Sequence, residues 1–540
     1  MIRLKKIKEK IEKIESQPIK FEIWLILFIA IILIRIFEEV ILNIRDVQTD
    51  NFIFHDLIHI LVVFAFVNLL AYFIFKKTLN LNSRAFLNIS IFGTFFLSII
   101  PPFLDFLFSL NNKMINFYEF YSLKECLINF FTFLQQDPFI GTTPGQRIVI
   151  FLSMIVAGLY TFIKSKKIAI SFLNFFLFYI LFYFVSTLPS LITFFIKGWD
   201  STASDVAALF FAPTDFLNQP TFSINIVLHK KMIFTYVILL TFTSFIIFIK
   251  NKIFREIIKN IRPIQTIYHL GLFSIGLGLA VIFGEASLNL NFLNNLALIV
   301  MILNIVVMWF SSVIINDYFD ENIDEISNQN RPLVKKIIEK NDYLKIGVVL
   351  FLMAIILSAL INFSITILLC IYYALTLAYN IPPLRLKKIP LVATFISALA
   401  SMVIIFTGYL MIIPENNLQN FPLIIIYLLL ITFTISLPIK DFKDIVGDKK
   451  NGVLTIPVIF GEKMARLIIG INIFISFMLS VYFLNEMSLF LPTLIFGFLS
   501  FLVINFNKDS EHLFGNKKIV PVIFSLVFIY GIILAWIVFL

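Results

Sequence analysis

Charge is the scarcest property of this sequence. Asp, Glu, Lys and Arg make up 14% of its 540 residues, whereas 60% are hydrophobic and the mean hydropathy is +0.96. A soluble domain carries about 25% charged and about 45–50% apolar residues. The deficit excludes a soluble enzyme, a disordered chain and a nucleic-acid binder. Cysteine is almost missing too: Cys126 and Cys370 stand far apart and neither belongs to a C-x-x-C pair, which excludes a disulfide framework and a cysteine zinc site. No small-residue cleavage site follows the first apolar run and residues 1–20 are highly charged, so no cleavable signal peptide is expected.

What fills the sequence instead is apolar runs of about 20 residues, the length that crosses a bilayer as a helix. The expected fold class is an all-α polytopic membrane protein, integral and multi-pass, in a prokaryotic plasma membrane. Phe is abundant at 66 residues and reads as lipid-facing filler rather than an aromatic cage. Residues 1–20 open with a basic amphipathic helix, Leu4, Ile7, Ile11 and Ile14 alternating with lysines, suited to an anionic leaflet or to solvent. Six spans follow within 21–250, near 21–44, 57–76, 86–109, 147–164, 168–195 and 232–249. A basic linker occupies 251–263. Nine further spans fill 264–540, near 264–284, 293–316, 343–361, 363–379, 390–413, 421–439, 466–484, 487–505 and 519–539.

The net charge of +10 lies in short loops. One alternating series carries Arg331, Lys335, Lys336 and Lys340, then Arg385, Lys387 and Lys388, then Lys440, Lys443, Lys449 and Lys450, then Lys508, Lys517 and Lys518. The intervening loops, around Asn291, Asn362, Asn416 and Asn485, have almost no Lys or Arg. The positive-inside rule places the first series and the N-terminus in the cytoplasm and the C-terminus outside. The longer loops at about 110–146 and 197–231 then fall outside.

Against that apolar background the acids form a repeated pattern. Asp317, Asp320 and Asp324 read D-x-x-D-x-x-x-D, and so do Asp441, Asp444 and Asp448. On a helix such spacing sets each trio on one face, here at cytoplasmic helix ends. Six oxygen ligands with interleaved Arg331, Arg385, Lys387, Lys388, Lys440 and Lys443 suit a hard cation such as Mg²⁺ and a diphosphate at the mouth of an apolar cavity.

These residues carry a resemblance. Asn316 leads the first trio and Arg331–Pro332 trails it; the second continues through Gly447, Gly452, Thr455 and Pro457; between them runs YNIPPLRLKK, Tyr379 to Lys388. With three motifs in order over roughly 260–540, the second half resembles the UbiA superfamily of intramembrane prenyltransferases. The resemblance implies a nine-helix bundle and Mg²⁺ held by Asp317, Asp320, Asp324, Asp441, Asp444 and Asp448. It implies a polyprenyl diphosphate donor, bound through Asn316, Arg331, Lys387 and Lys443, with Tyr379 beside the acceptor or the allylic cation. The prenyl group passes to an aromatic or lipid acceptor and diphosphate is released. The sequence departs from the pattern after Arg331–Pro332, where Leu333, Val334, Lys335 and Lys336 replace a short P-S-G run; this bears on the acceptor, which no residue here decides.

The first half matches no pattern with a known function. His55 and His59, with Asp56 between, share a helical face and could bind a metal given a third ligand; without one they read as a polar turn at the interface. Arg35 can pair locally with Glu38 or Glu39. Pro101–Pro102 are expected to kink a span and leave Asp105 near its outer end, and the two outer loops to lie along the interface. The competing function class is a transporter or lipid-binding protein using the acidic site. Transport sites lie near the bilayer midplane, whereas both trios sit at helix ends.

Overall fold

The structure is a computed structural model and describes all residues except 1, 19, 43–49, 110–114, 117, 135–139, 219–223, 285, 414–417, 509, 510, 513–517 and 540. Asn416, Lys517 and parts of the expected outer loops therefore lie outside the described residues. The described chain is dominated by helices, as an apolar sequence inside a bilayer demands, because a helix satisfies its own backbone hydrogen bonds. Fourteen described helices are long and apolar enough to cross a membrane, five before residue 250 and nine after it. The chain is an integral multi-pass membrane protein.

Two expected spans differ. The first, 21–44, forms a helix at Phe21–Ile41 but carries Arg35, Glu38 and Glu39 and stands outside the fourteen. The fifth, 168–195, is two helices, Ile168–Ser186 and Leu188–Lys197. Pro189 in the first turn of the second has no N–H to continue the preceding ladder, so the chain restarts there.

The chain divides into two compact units. The first comprises Met1–Asp215, Thr221–Phe248 and Asn291–Leu296. Its basic amphipathic helix, Ile2–Glu15, is anchored at its end. Glu15 accepts hydrogen bonds from Tyr160 Oη and Lys164 Nζ, both at 2.7 Å. The prolines Pro101 and Pro102 sit inside the helix Ser83–Ser109 and leave Asp105 to cap the helix Pro144–Ser165. Asp105 accepts from Thr143 Oγ1 at 2.5 Å and from Gly145 N at 2.7 Å. Gly145 is required: a Cβ there would lie 2.6 Å from both Asp105 Oδ1 and the Pro101 carbonyl. Arg35 pairs locally, donating from Nε to Glu39 at 3.0 Å.

The second unit comprises Phe216–Pro220, Ile249–Leu290 and Ala297–Leu540. Helices Pro263–Phe283 and Val392–Ile412 meet backbone to backbone. A Cβ on Gly276 would collide with the Ile405 carbonyl, and one on Gly408 with the Phe273 carbonyl. Such reciprocal small-residue contacts are how membrane helices associate where lipid offers no hydrophobic drive. A separate cluster joins Ile439 and Phe442 to Ala465, Ile469, Ile473 and Phe477 on the helix Ile456–Leu484, fixing the segment that carries the second acidic trio.

Candidate active site

The first trio rides the end of an unbroken helix, Phe292–Ser327. Asn316, Asp320 and Asp324 form a row at four-residue steps along it, and Asn328, just past its end, continues the step, so that an acid pair has an amide at each end. Asn316 Nδ2 donates to Asp320 Oδ2 at 2.8 Å, and Asn328 Nδ2 donates to Asp324 Oδ1 at 2.9 Å. Asp317, Asp320 and Asp324 are all buried.

The second trio is not on one α-helix as its spacing suggested. The helix Leu423–Ser436 gives way to a 3₁₀ turn, Leu437–Lys443, and then to a short helix, Ile445–Lys450. Pro438 removes the N–H an α-helix would need there, and Asp444 leaves helical geometry at φ −114°, ψ 9°. Asp441 thus lies in the turn, Asp444 at the junction and Asp448 in the short helix. Gly447 lets that helix close on the first trio's helix, since a Cβ there would meet the Ser327 hydroxyl and Ile323.

The two trios come together through one amide. Asn328 Nδ2 reaches Asp324 on one side and Asp444 Oδ1, at 3.1 Å, on the other. The loop between them closes the third side. Lys387 is buried and pairs with Asp320, and Arg385 donates to the same carboxylate at 3.2 Å and to the Phe319 carbonyl at 3.3 Å. Asn380, just before the prolines, accepts from Asn316 Nδ2 at 2.9 Å. Lys443 Nζ lies 3.8 Å from Asp444. Tyr379 sits beside Lys440, which donates to its hydroxyl at 3.3 Å.

Asp317 has the fullest set of partners. Oδ1 accepts from Arg262 at 2.6 Å and from Arg331; Oδ2 accepts from Asn260 at 2.5 Å and Tyr343 Oη at 3.3 Å. Arg331 also lies 3.6 Å from Asp324. The stretch expected to be a plain linker therefore delivers Asn260 and Arg262 into the site, from just beyond the helix Lys252–Lys259. Leu333, in the segment that departs from the family pattern, is buried with Ile257 of that helix and with Tyr343.

Electrostatics follow from packing carboxylates out of water. Burial, then the charges of Asp444, Asp441 and Asp320, push the Asp448 carboxyl up to about 7, with Lys387 acting against them. Burial lowers the Lys387 ammonium from its ordinary range, opposed by Asp320. Asp324 Oδ2 is buried with no hydrogen-bond partner among the described residues, as are Nε of Arg262 and of Arg385. A buried carboxylate oxygen with nothing to accept from is expensive unless a cation or a donor arrives.

Sequence reasoning missed Asn260, Arg262, Asn328, Tyr343 and Asn380. Asn328 was detectable, continuing the four-residue row; Asn260 and Tyr343 reach Asp317 only through the fold.

Residues 272–512 match the UbiA prenyltransferase family. A digeranylgeranylglyceryl phosphate synthase of Methanosphaera stadtmanae is 31% identical over 210 residues, 37% of this chain and 74% of its own. The chain belongs to the UbiA prenyltransferase family. Another synthase of that name, from Sulfolobus acidocaldarius, is 37% identical to this UbiA-family chain over 173 residues, covering 30% of it and 58% of the relative. The Pyrococcus furiosus one is 32% identical over 162 residues, covering 30% and 56%. The chain thus spans little more than half the length of these two relatives. Among solved structures, a UbiA homologue from Archaeoglobus fulgidus bound to DMAPP and Mg²⁺ matches 52% of this chain and 98% of its own, at 19% identity and a TM-score of 0.40. Residues 1–271 lie outside the family match.

Proposed function

We propose that the second unit transfers a prenyl group from a polyprenyl diphosphate to a lipid acceptor inside the membrane, with release of diphosphate. The observation that carries this reading is the Asn328 amide shared between Asp324 and Asp444, which gathers carboxylates of both motifs around one place. Arg331 stands against Asp324, and Arg385 and Lys387 stand against Asp320 of the same motif.

The residues fit a hard divalent cation: the donors are carboxylate oxygens, and Asp324 Oδ2 is buried without a partner among the described residues. Asp320, Asp324, Asp441, Asp444 and Asp448 would hold Mg²⁺, with Asp317 completing the family set. Bound there, Mg²⁺ would neutralise charge on the departing diphosphate. In the structure Asp317 already accepts from Asn260, Arg262, Arg331 and Tyr343, so its part is to aim the two guanidinium groups. Arg331, Lys387 and Lys443 would contact the diphosphate oxygens, donors placed where negative charge grows as the C–O bond breaks. Asn316 orients Asp320, and Tyr379, held beside Lys440, would position the acceptor or shield the allylic cation.

Relatives named digeranylgeranylglyceryl phosphate synthase support a prenylated glyceryl phosphate as that acceptor, in place of an aromatic one. The loop charges support a cytoplasmic position for both acidic motifs, N-terminus inside and C-terminus outside, an odd number of crossings that requires the helix Phe21–Ile41 to span together with the fourteen. With this reading goes a division into a membrane domain at 21–250, a basic linker at 251–263 and the prenyl-transferring domain at 264–540.

The test is pyrophosphate release by purified protein given geranylgeranyl diphosphate with geranylgeranylglyceryl phosphate or with aromatic acids, in Mg²⁺ or EDTA. Release with the glyceryl phosphate alone, abolished by EDTA and by Asp444→Asn, is the expected result. Release with an aromatic acid would replace the acceptor; no release and no Mg²⁺-dependent donor binding would sink the reaction.

A further inference from the structure

We propose that the first unit contains a divalent transition-metal site formed by Asp56, His59 and His229, separate from the acidic site of the second unit. In the sequence, His55 and His59 form the four-residue pair, with Asp56 between them and no ligand from another segment in reach. The fold supplies it. Helices Asp50–Leu79 and Ile224–Phe248 run side by side in the same direction, as their ring pairs show: His59 with His229 at 5.1 Å, Phe66 with Tyr236 at 5.6 Å, Tyr72 with Phe248 at 6.1 Å between centroids. The step from His59 to Phe66 equals the step from His229 to Tyr236, so a parallel packing in register brings the two histidines opposite each other.

One ligand atom from each of Asp56, His59 and His229 lies within 4.8 Å of the others, and His229 Nε2 is 3.7 Å from Asp56 Oδ1. Bonds of about 2.0–2.2 Å to one ion draw such atoms together with a small closure. Asp56 is 4% exposed, and a cation in the cluster would offset the cost of holding its carboxylate there. Both histidines are half-buried. His55, the other histidine of the sequence pattern, is not part of the cluster and packs edge-on against Phe54.

The donor chemistry separates this site from the acidic one. Two imidazole nitrogens and one carboxylate oxygen suit Zn²⁺ or Fe²⁺, whereas Mg²⁺ prefers oxygen alone. Three protein ligands leave positions open, the pattern of a site that also binds water or a substrate group. A supporting chain holds the His59 ring: Tyr236 Oη donates to the Val185 carbonyl at 3.4 Å, Tyr118 Oη donates to Tyr236 Oη at 3.3 Å, and Tyr118 Oη lies 2.9 Å from His59 Nε2. In the tautomer with its proton on Nε2, His59 donates to Tyr118 and keeps the Nδ1 lone pair for a metal. Metal-ligating histidines are oriented in this way by an acceptor for their other nitrogen.

The experiment uses the full chain in detergent, stripped with chelator and dialysed against Zn²⁺ in excess Mg²⁺. About one Zn²⁺ per chain is expected, with affinity at least about tenfold weaker in Asp56→Asn and in His229→Gln and unchanged in Asp444→Asn. X-ray absorption of the zinc-loaded wild type should show a nitrogen and oxygen shell with imidazole scattering. Folded Asp56→Asn and His229→Gln proteins that take up Zn²⁺ like the wild type would overturn the proposal. So would a wild type that takes up none, or one whose zinc shell lacks imidazole. The absorption spectrum decides the matter should the variants fail to fold. Because Asp444→Asn disables the acidic site and leaves this one intact, failure here is distinguishable from failure of the prenyl-transfer reading.

Discussion

At Asp317 a single carboxylate accepts from two guanidinium groups, an amide and a phenol while it is 1% exposed. Removing one partner of such a buried set leaves cations without compensation, at a cost of about 3–5 kcal/mol. Asp317→Asn should therefore lower the unfolding temperature as well as abolish turnover, which makes it a poor probe of chemistry. Asp444, half-buried and held by Asn328 and Lys443, is the cleaner one: Asp444→Asn should abolish turnover while thermal unfolding stays close to the wild type. Asn328→Ala removes the amide between the two motifs and touches no reacting atom. Losses of about 10–100-fold are typical for a group that orients metal ligands, and a titration of rate against Mg²⁺ should show the loss as a raised metal requirement. Lys387→Ala should raise KM for the prenyl diphosphate about tenfold or more; an unchanged KM would remove Lys387 from the diphosphate contacts.

Helices position these residues by how closely they approach. The glycine pair Gly276 and Gly408 puts the backbones of Pro263–Phe283 and Val392–Ile412 in contact, and the first of these begins directly after Arg262, the partner of Asp317. Gly408→Leu should force the two helices apart, destabilise the unit by more than the ~1–3 kcal/mol usual for overpacking, and displace Arg262; a thermal melt and the donor KM report the two effects. Gly447→Ala acts on the other side, where the short helix Ile445–Lys450 meets Ile323 and Ser327. It should cost about 1–3 kcal/mol in unfolding and reduce turnover, because Asp448 and Asp444 move with that helix. The Leu437–Lys443 turn explains why the second motif needs a proline and a break: a continuous α-helix would carry Asp441 and Asp448 along a straight row, whereas the turn bends the backbone between them.

On the scale of the whole molecule, the proposed orientation rests on the charged loops. A cysteine placed at exposed Lys450 should be labelled by a membrane-impermeant thiol reagent only from the cytoplasmic side, and one at exposed Trp199 only from outside. Labelling of both from one side would overturn the proposed topology.

The sequence by itself determined the membrane class, most of the spans and both acidic motifs. Hydropathy over about 20 residues and the scarcity of acids are local properties, and any fold in a bilayer must honour them. It also carried the row from Asn316 to Asp324, because neighbours on one helix are fixed by four-residue spacing. Only the tertiary structure decided that Asn260, Arg262 and Tyr343 converge on Asp317, that Asn328 joins Asp324 to Asp444, and that His229 comes to Asp56 and His59. Each of those pairings is made by helices docking side by side, and docking depends on the shapes of packed faces, on contacts such as Gly408 against Phe273, which no spacing within one segment encodes.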